Sequence, residues 1–529
     1  MKKTLIALAA AAIPAVMSAQ SAPDAYSFSQ SDIRGTARFM SMGGAFTALG
    51  GDLSTLSQNP AGLGVYRRSE IGATLDISPR RVTATTPSDK ISTDATKVFC
   101  NNFGYVGVAN LGGPLRTFAW GVSYNRIGSF NREFTSYDGA APSSLTNYIA
   151  SYTNNSGVAP STLTFVKDKY NPYQQSDADW LSILAYNSLL INDVNGRYYG
   201  LGQDGTVSDA QSVVRQSGYV DEYNIDFGGN VSEVVMWGLG VGITDLSFNS
   251  TVAYSESMAG AYIPSADNRM TTGSAEYDLV NYRNVSGTGV NLKFGLIFRP
   301  INEFRLGVAV HTPTWYTMSS NQTATVYSDF MPDNMTGDVH VDNEYTDDAY
   351  YNFKMNAPWK FMIGAAGVIG NQAIVSLDYE RQAFGDISVK YQDGWGNYVS
   401  DPDVNQDVKN YYKAANIIRL GVEYRLTPRL SARAGYNFST ATSKQEVLDG
   451  RRQVFTAGTD PAFTLNKTSN AISVGLGYRW SSFYLDAAYV WRRRNSEYCA
   501  FTSYDGIQAP KASLAETTND IVFSLGFKF

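Results

Sequence analysis

The end of the chain alternates between two characters. Ile521, Phe523, Leu525, Phe527 and Phe529 fall on one face of an extended strand, while Asp520, Ser524, Gly526 and Lys528 fall on the other. The pattern recurs upstream. Ile418, Leu420, Val422, Tyr424 and Leu426 alternate with Arg419, Gly421, Glu423 and Arg425; after Thr427-Pro428-Arg429, Leu430, Ala432, Ala434, Tyr436 and Phe438 alternate with Ser431, Arg433, Gly435 and Asn437. Ile472 to Trp480, Phe483 to Trp491, Val290 to Phe298 and Phe304 to Val310 repeat it. A strand with one apolar and one polar face suits a wall between lipid and a polar lumen.

Fourteen strands are predicted, at 69-78, 101-111, 116-129, 219-230, 235-257, 282-299, 304-314, 351-367, 372-390, 414-426, 430-441, 469-480, 483-494 and 518-529. Connections after even-numbered strands have two to four residues and those after odd-numbered strands 22 or more. Short turns at one end and long loops at the other, on an even strand count, describe an antiparallel transmembrane β-barrel of the bacterial outer membrane, with both chain ends periplasmic. The strand at 235-257 is long enough to project outward or to hide a turn. Trp480 beside a short turn, with Trp315 and Trp491 near outer strand ends, fits two interfacial aromatic belts.

Composition narrows the alternatives. The 529 residues include Gly 47, Tyr 35, Phe 26 and Trp 8, only 17% are charged, and no apolar run reaches 18 residues. Spanning helices are thereby excluded, and the aromatic content argues against disorder. A net charge of -6 gives nucleic acid no electrostatic footprint. Two His and two Cys leave little for a metalloenzyme or a disulfide scaffold. Met1 to Ala19 reads as an export signal: Lys2 and Lys3 are followed by an apolar stretch from Leu5 to Ala12, and Ala19 is the small residue at the cut.

Residues 20-68 do not alternate. They are small, apolar and Gly-rich, and suit a compact plug of short helices, with Pro60 holding Asn59 extended. The run Arg38-Phe39-Met40-Ser41-Met42-Gly43-Gly44-Ala45 through Asp52 to Asn59-Pro60-Ala61-Gly62-Leu63 resembles the N-terminal hatch of the FadL-like long-chain fatty acid transporters, also called the outer membrane protein transport family. Arg299-Pro300 with Phe304-Arg305-Leu306-Gly307, and Arg419-Leu420-Gly421-Val422-Glu423-Tyr424-Arg425-Leu426 with Arg433-Ala434-Gly435-Tyr436, extend the likeness. The final Phe529 also resembles the sorting signal read by the barrel-assembly machinery.

The resemblance implies a monomeric fourteen-stranded barrel, residues 69-529, plugged by the hatch and passing hydrophobic molecules by diffusion, without a cofactor. A ligand would land on an outer groove, move to a site near the hatch and leave sideways through a kinked third strand. Asn59, Pro60, Ala61, Gly62 and Leu63 match the hatch motif; Phe39, Met40, Met42 and Phe46 are expected along the ligand path. Gly121 or Gly128 is expected at the kink, because a strand glycine often marks a bend, although either equally makes room for the plug.

The long loops add candidates. Trp180, Ile183, Leu184, Leu190 and Ile191 recur at helical spacing after Ser176 and Asp177 as caps, forming either an outer capture groove or a helix packed on its own loop. Loop 315-350 is acidic; Asp401, Asp403, Asn405 and Asp407 partly resemble a calcium loop, but Gln406 replaces the turn glycine and no Glu completes it, so no metal is expected. Barrel closure brings the Cys100 and Cys499 regions together, as a disulfide or as two free thiols. His311 should face the lumen, as a hydrogen-bonded residue or a haem ligand, and His340 sits in an acidic loop. Neither lies in a catalytic motif, so no enzyme is expected. Fatty acids, aromatic hydrocarbons and haem all suit an apolar path, beside outer-membrane lipid as surroundings. A general porin or a barrel-borne adhesin are the alternatives, and a plug argues against the open pore.

Overall fold

The computed structural model describes residues 20–203, 205–265, 269–333, 337–370 and 372–529. The export signal, Met1 to Ala19, lies outside the described residues. Fourteen antiparallel strands close into one barrel. Strand 1 is Glu70–Thr85, strand 2 Lys90–Asn110, strand 3 Leu115–Ser129 continued by Arg132–Asp138, strand 4 Val207–Val231, strand 5 Val235–Pro264 and strand 6 Met270–Ile301. Strand 7 is Phe304–His311 with Trp315–Pro332, strand 8 Ala349–Asn356 with Lys360–Ile369, and strand 9 Ala373–Gln382 with Ser388–Gln392. Strands 10 to 14 are Ala415–Arg425, Leu430–Ser439, Phe463–Trp480, Phe483–Cys499 and Lys511–Lys528. Strand 14 pairs with strand 1 from Glu70↔Lys528 to Thr85↔Ser513, so the sheet has no free inner edge.

Outward-facing residues draw the position of the bilayer. Leu239, Val241 and Ile243 on strand 5, Leu292, Phe294 and Leu296 on strand 6, and Leu420 and Val422 on strand 10 are exposed apolar side chains of one continuous belt. An apolar ring of this size is satisfied by lipid, not water. Tyr223, Trp315, Trp359, Tyr379 and Tyr489 edge it on the loop side, and Phe227, Phe298, Trp480, Phe483 and Phe529 on the turn side. These are the two aromatic girdles of a membrane barrel.

Strands continue beyond the outer girdle, where the outward face meets water and the inward face packs on an apolar cap, so the polarity of the alternation inverts. Strands 1 and 2 are therefore joined by residues 86–89, instead of the long loop expected there, and strand 5 runs unbroken to Pro264 with no hidden turn. Much of the acidic 315-350 segment is likewise strand, up to Pro332. Residues 401 to 411 form no cation loop: Asp401 caps helix Pro402–Tyr411, its carboxylate accepting from the Val404 amide at 3.1 Å.

The first 49 described residues fold as a hatch inside the barrel's inner half and lower lumen, built from helices Ala22–Phe28, Ala37–Ser41 and Thr55–Gln58 and the 3-10 turn Pro60–Val65. Three of the four carry a side-chain cap of their own. Ser21 and Asp24 form a reciprocal capping box, Thr36 accepts from the Phe39 amide at 3.1 Å, and Asn59 accepts from the Ala61 amide at 3.1 Å. Gly43, Gly44, Gly50 and Gly51 take positive φ angles of 62° to 75° at the turns between them. Phe529 bonds Ser69 at the inner rim at 3.0 Å, while Gln20, the first described residue, is buried in the lumen against Arg283 of strand 6, because the first helix climbs above the rest of the hatch.

The hatch lies directly on a wall that has been cleared of side chains. A Cβ at Gly238 or Gly295 would overlap Pro60 and Asn59, one at Gly307 would overlap Thr47, and those at Gly421 and Gly121 would sit 2.6 Å from the Met42 carbonyl oxygen and Leu56 Cδ2. Several of these glycines pair across strands, as Gly228↔Gly238↔Gly295, Gly307↔Gly364 and Gly421↔Gly435. Gly121 is thus a packing glycine in an unbroken ladder, not a kink.

Of the two alternatives for the cysteines, the structure has free thiols. Cys100 stands opposite Leu75 part-way down the wall and faces outward, whereas Cys499 lies at the outer end of strand 13, opposite Lys511 and buried in the interior. Extension of the first hairpin leaves Cys100 below the outer rim.

Two outcomes follow for experiment. Gly295→Val should unseat the hatch, at a cost of about 1–3 kcal/mol typical of overpacking, seen as a lowered Tm and a new ion conductance in planar bilayers, while Gly112→Ala, in open space, changes neither. A small membrane-permeant thiol reagent should label Cys100 in the folded barrel and Cys499 only after unfolding, read by mass spectrometry.

Candidate functional site

Above the hatch motif the lumen opens into a chamber of about 180 Å³. Its floor is hatch: Ile33, Arg34, Phe39, Ser57 and Gln58. Its walls come from strands 4, 7, 8, 9, 10 and 13, with Glu222, His311, Lys360, Glu380, Arg419 and Arg492 among them. Of the residues expected along the ligand path, Phe39 alone lines this chamber; Met42 is pressed against Gly421 and Gly435, Phe46 packs beneath Phe39 with ring centres 5.4 Å apart, and Met40 lies beside the Asn101 side chain. Asn59 is a structural latch: its Nδ2 donates to the Thr47 carbonyl at 2.6 Å, tying the start of the 3-10 turn to the middle of the hatch. His311 faces the lumen as alternation requires and donates from Nε2 to the Gln58 carbonyl at 2.8 Å.

The chamber is charged rather than greasy. Arg34, Lys360, Arg419, Lys467, Arg492 and Arg494 face Asp32, Glu222 and Glu380. Most are compensated: Arg34 by Asp76 at 3.0 Å, Arg494 by Asp32 at 2.9 Å, Arg492 by Asp520 at 3.5 Å, Lys467 by Glu497 at 2.9 Å, and Glu222 by Lys293. Lys360 and Arg419 are left to share Glu380. Arg419 Nη2 takes it at 2.5 Å, its Nε and Nη1 make no hydrogen bond among the described residues, and Lys360 Nζ reaches only the Ser31 hydroxyl at 3.0 Å. A buried cation without its own counter-ion is costly and favours an anion. Nothing in the amphipathic alternation marks these two residues out from other lumen-facing cations.

Asp32 pins the hatch to the far wall. Its amide donates to the Ile127 carbonyl at 2.8 Å and its carboxylate meets Arg494, Arg492 and Arg34. Burial works to raise its pKa, but the three guanidinium charges outweigh burial and hold the carboxyl well below the ordinary range. A second clamp runs from Arg38 through Glu423 at 2.8 Å to Arg433 at 2.6 Å and Asp486 at 2.6 Å.

The chamber continues sideways. A second cavity of about 150 Å³ shares Tyr26, Asp32, Asn466 and Arg494 with it and adds an apolar wall of Phe28, Phe130 and Phe248, whose rings meet edge to face at 5.1 to 6.1 Å. A third, of about 250 Å³, shares Arg80, Arg132 and Gln216 with the second and is bounded by Ala95, Lys97 and Phe99 of strand 2 and Asn131 and Glu133 of strand 3. It lies at a seam. The ladder between strands 2 and 3 stops at Asn102↔Asn125, just where the outer girdle begins; beyond it strand 2 pairs only with strand 1 and strand 3 only with strand 4. The extra residue Ile127, between Arg126 and Gly128, bulges strand 3 at this point. Gly128 therefore adjoins the irregularity and Gly121 does not.

The proposed outer groove is filled. Ile183, Leu184, Leu190 and Ile191 are fully buried and Trp180 partly so, in the apolar core of an extracellular cap where helix Trp180–Asn187 packs on its own loop and on the outer strands. Asp179, not Ser176 or Asp177, caps that helix, accepting from the Ser182 amide at 3.1 Å.

No family model matches the sequence, and no curated protein sequence is detectably similar. Solved structures are. A Pseudomonas aeruginosa FadL homologue superposes with a TM-score of 0.53 at 12% identity, covering 94% of this chain and 99% of that one. The chain has the FadL fold. The P. putida toluene transporter TodX aligns with a TM-score of 0.50 at 15% identity, over 94% of this chain and 99% of its own. The FadL-like barrel and its inward hatch are thus kept while nearly all side chains differ.

The clamp at Asp32 gives a pH expectation. A carboxylate held below its unfolded pKa of about 3.9 contributes stability above that value and loses it as the pH falls. Hatch-dependent blockage of ion conductance should therefore persist at neutral pH and fail progressively below about pH 4. Asp32→Asn should weaken it already at pH 7 and flatten this acid dependence; an unchanged acid response in the variant counts against the clamp.

Proposed function

We propose that the protein is a diffusive uptake channel of the outer membrane for hydrophobic compounds, and that its preferred substrate is an amphiphile with an anionic group, a long-chain fatty acid before an aromatic hydrocarbon or haem. The observation that carries this is the pairing of a cationic corner, Lys360 and Arg419 with the single carboxylate of Glu380 between them, with an aromatic passage at Phe28, Phe130 and Phe248 leading to the seam between strands 2 and 3. A carboxylate takes the place of the missing counter-ion, and the acyl chain lies along the rings. Release sideways at the foot of the seam, level with the outer girdle, delivers an apolar molecule to the edge of the bilayer. A hatch clamped by buried ion pairs argues against a general porin, and a cavity line running from lumen to wall has no use in an adhesin.

Fluorescence-displacement binding to the detergent-purified protein tests the reading. Oleate is expected to bind saturably and more tightly than toluene or haem. Lys360→Met should weaken oleate about tenfold and leave toluene unchanged. Saturable binding of toluene alone would move the substrate class to hydrocarbons; no binding of any of the three, with a large steady conductance, would sink the transporter in favour of a pore.

A further inference from the structure

The outer wall carries a second charge anomaly, separate from the lumen. On strands 8 and 9, beyond the outer girdle, Lys354 and Lys390 stand directly opposite each other in the ladder. Both side chains point outward, since Phe353, Met355 and Val389 between them are buried in the interior. Like charges directly opposed across a sheet are destabilising. Among the described residues neither lysine makes an ion pair; Lys354 Nζ instead rests 4.3 Å over the Tyr398 ring. Their other ladder partners, Thr317 on strand 7 and Ser400 on the adjoining hairpin strand, are uncharged.

The surroundings are polar and uncharged. Below the pair, Asn356 Nδ2 bonds the Ser388 hydroxyl at 3.1 Å, and above it Asn352 Nδ2 bonds Gln392 Oε1 at 3.2 Å, so the two ammonium groups are bracketed by amide and hydroxyl groups on one face. Height decides the partner. Asn356 is paired with the girdle residue Trp315, and Lys354 lies two residues farther out, about 7 Å at roughly 3.4 Å per residue. That height falls within the polar headgroup layer, which adds roughly 5–8 Å on each side of the hydrocarbon core.

We propose that Lys354 and Lys390 form a binding site for the phosphate of an outer-leaflet glycolipid, whose acyl chains lie on the apolar belt below Trp315 and Trp359. The phosphate removes the repulsion that the bare pair carries and places a structural lipid against the three strands that break together at 312–314, 357–359 and 383–387. The proposal rests on the outer-membrane placement of the barrel and not on which compound the lumen carries.

Native mass spectrometry of the full detergent-purified chain tests it, with three probes: a bisphosphorylated acylated glucosamine disaccharide, its dephosphorylated form and inorganic phosphate. The wild-type protein is expected to retain the phosphorylated glycolipid, and Lys354→Gln with Lys390→Gln to weaken retention about tenfold, to the level of the dephosphorylated form. Lys354→Arg with Lys390→Arg should retain it, which separates lost charge from lost fold. Equal retention by the wild type and the glutamine variant, retention by neither, or displacement by inorganic phosphate at equal concentration would each overturn the assignment.

Discussion

Backbone resting on backbone is the constraint around which the interior is built. The hatch touches the wall along Pro60, Asn59, Thr47 and Met42, and each of these contacts exists because the facing strand carries glycine. A Cβ on those strands would lift the plug away from the wall and open a water path beside it. The glycines weaken their own strands, but closure of the barrel pairs every one of them on both sides, and the ladder supplies what the side chains do not. Polar clamps then fix the position that the glycines permit.

That seating explains why the lumen is charged. With the wall's inner face given over to small residues at the hatch level, what remains above it is a ring of long polar side chains that neutralise one another around a small chamber. Almost all of them do. The exceptions are informative because a buried network tolerates few of them: Lys360 and Arg419 share one carboxylate, and the imbalance points into the chamber. The apolar residues of the hatch, by contrast, spend their surface on the wall and offer little to a ligand.

The seam and the outer lysine pair show the same logic on opposite sides of the wall. A ladder normally satisfies every backbone group of neighbouring strands, yet strands 2 and 3 part above Asn102 and Asn125, where a bulge turns strand 3 toward strand 4. Side chains such as Arg80, bonded to the Asn131 carbonyl and to Glu516, partly replace the missing backbone bonds. At strands 8 and 9 the backbone ladder holds, but the side chains it brings together repel.

Sequence alone carried the barrel because lipid on one side and polar lumen on the other impose a period of two on every spanning strand. Strand number, direction and inner turns were legible in that period, and the hatch in its absence. The outer strand ends were not, since beyond the girdle lipid gives way to water and the lumen to an apolar cap, so the lipid-facing pattern ends and a weaker, inverted one takes its place; hence the short 86–89 turn and the extension to Pro332 came only with the structure. Gly121 read equally as hinge or packing, and the register decided for packing. Cys100 and Cys499 lie in regions that barrel closure brings together, but their heights on the wall keep them apart. The charged corner at Lys360 and the opposed lysines outside arise from residues distant in sequence or set by register, and electrostatic balance is a property of neighbours in space.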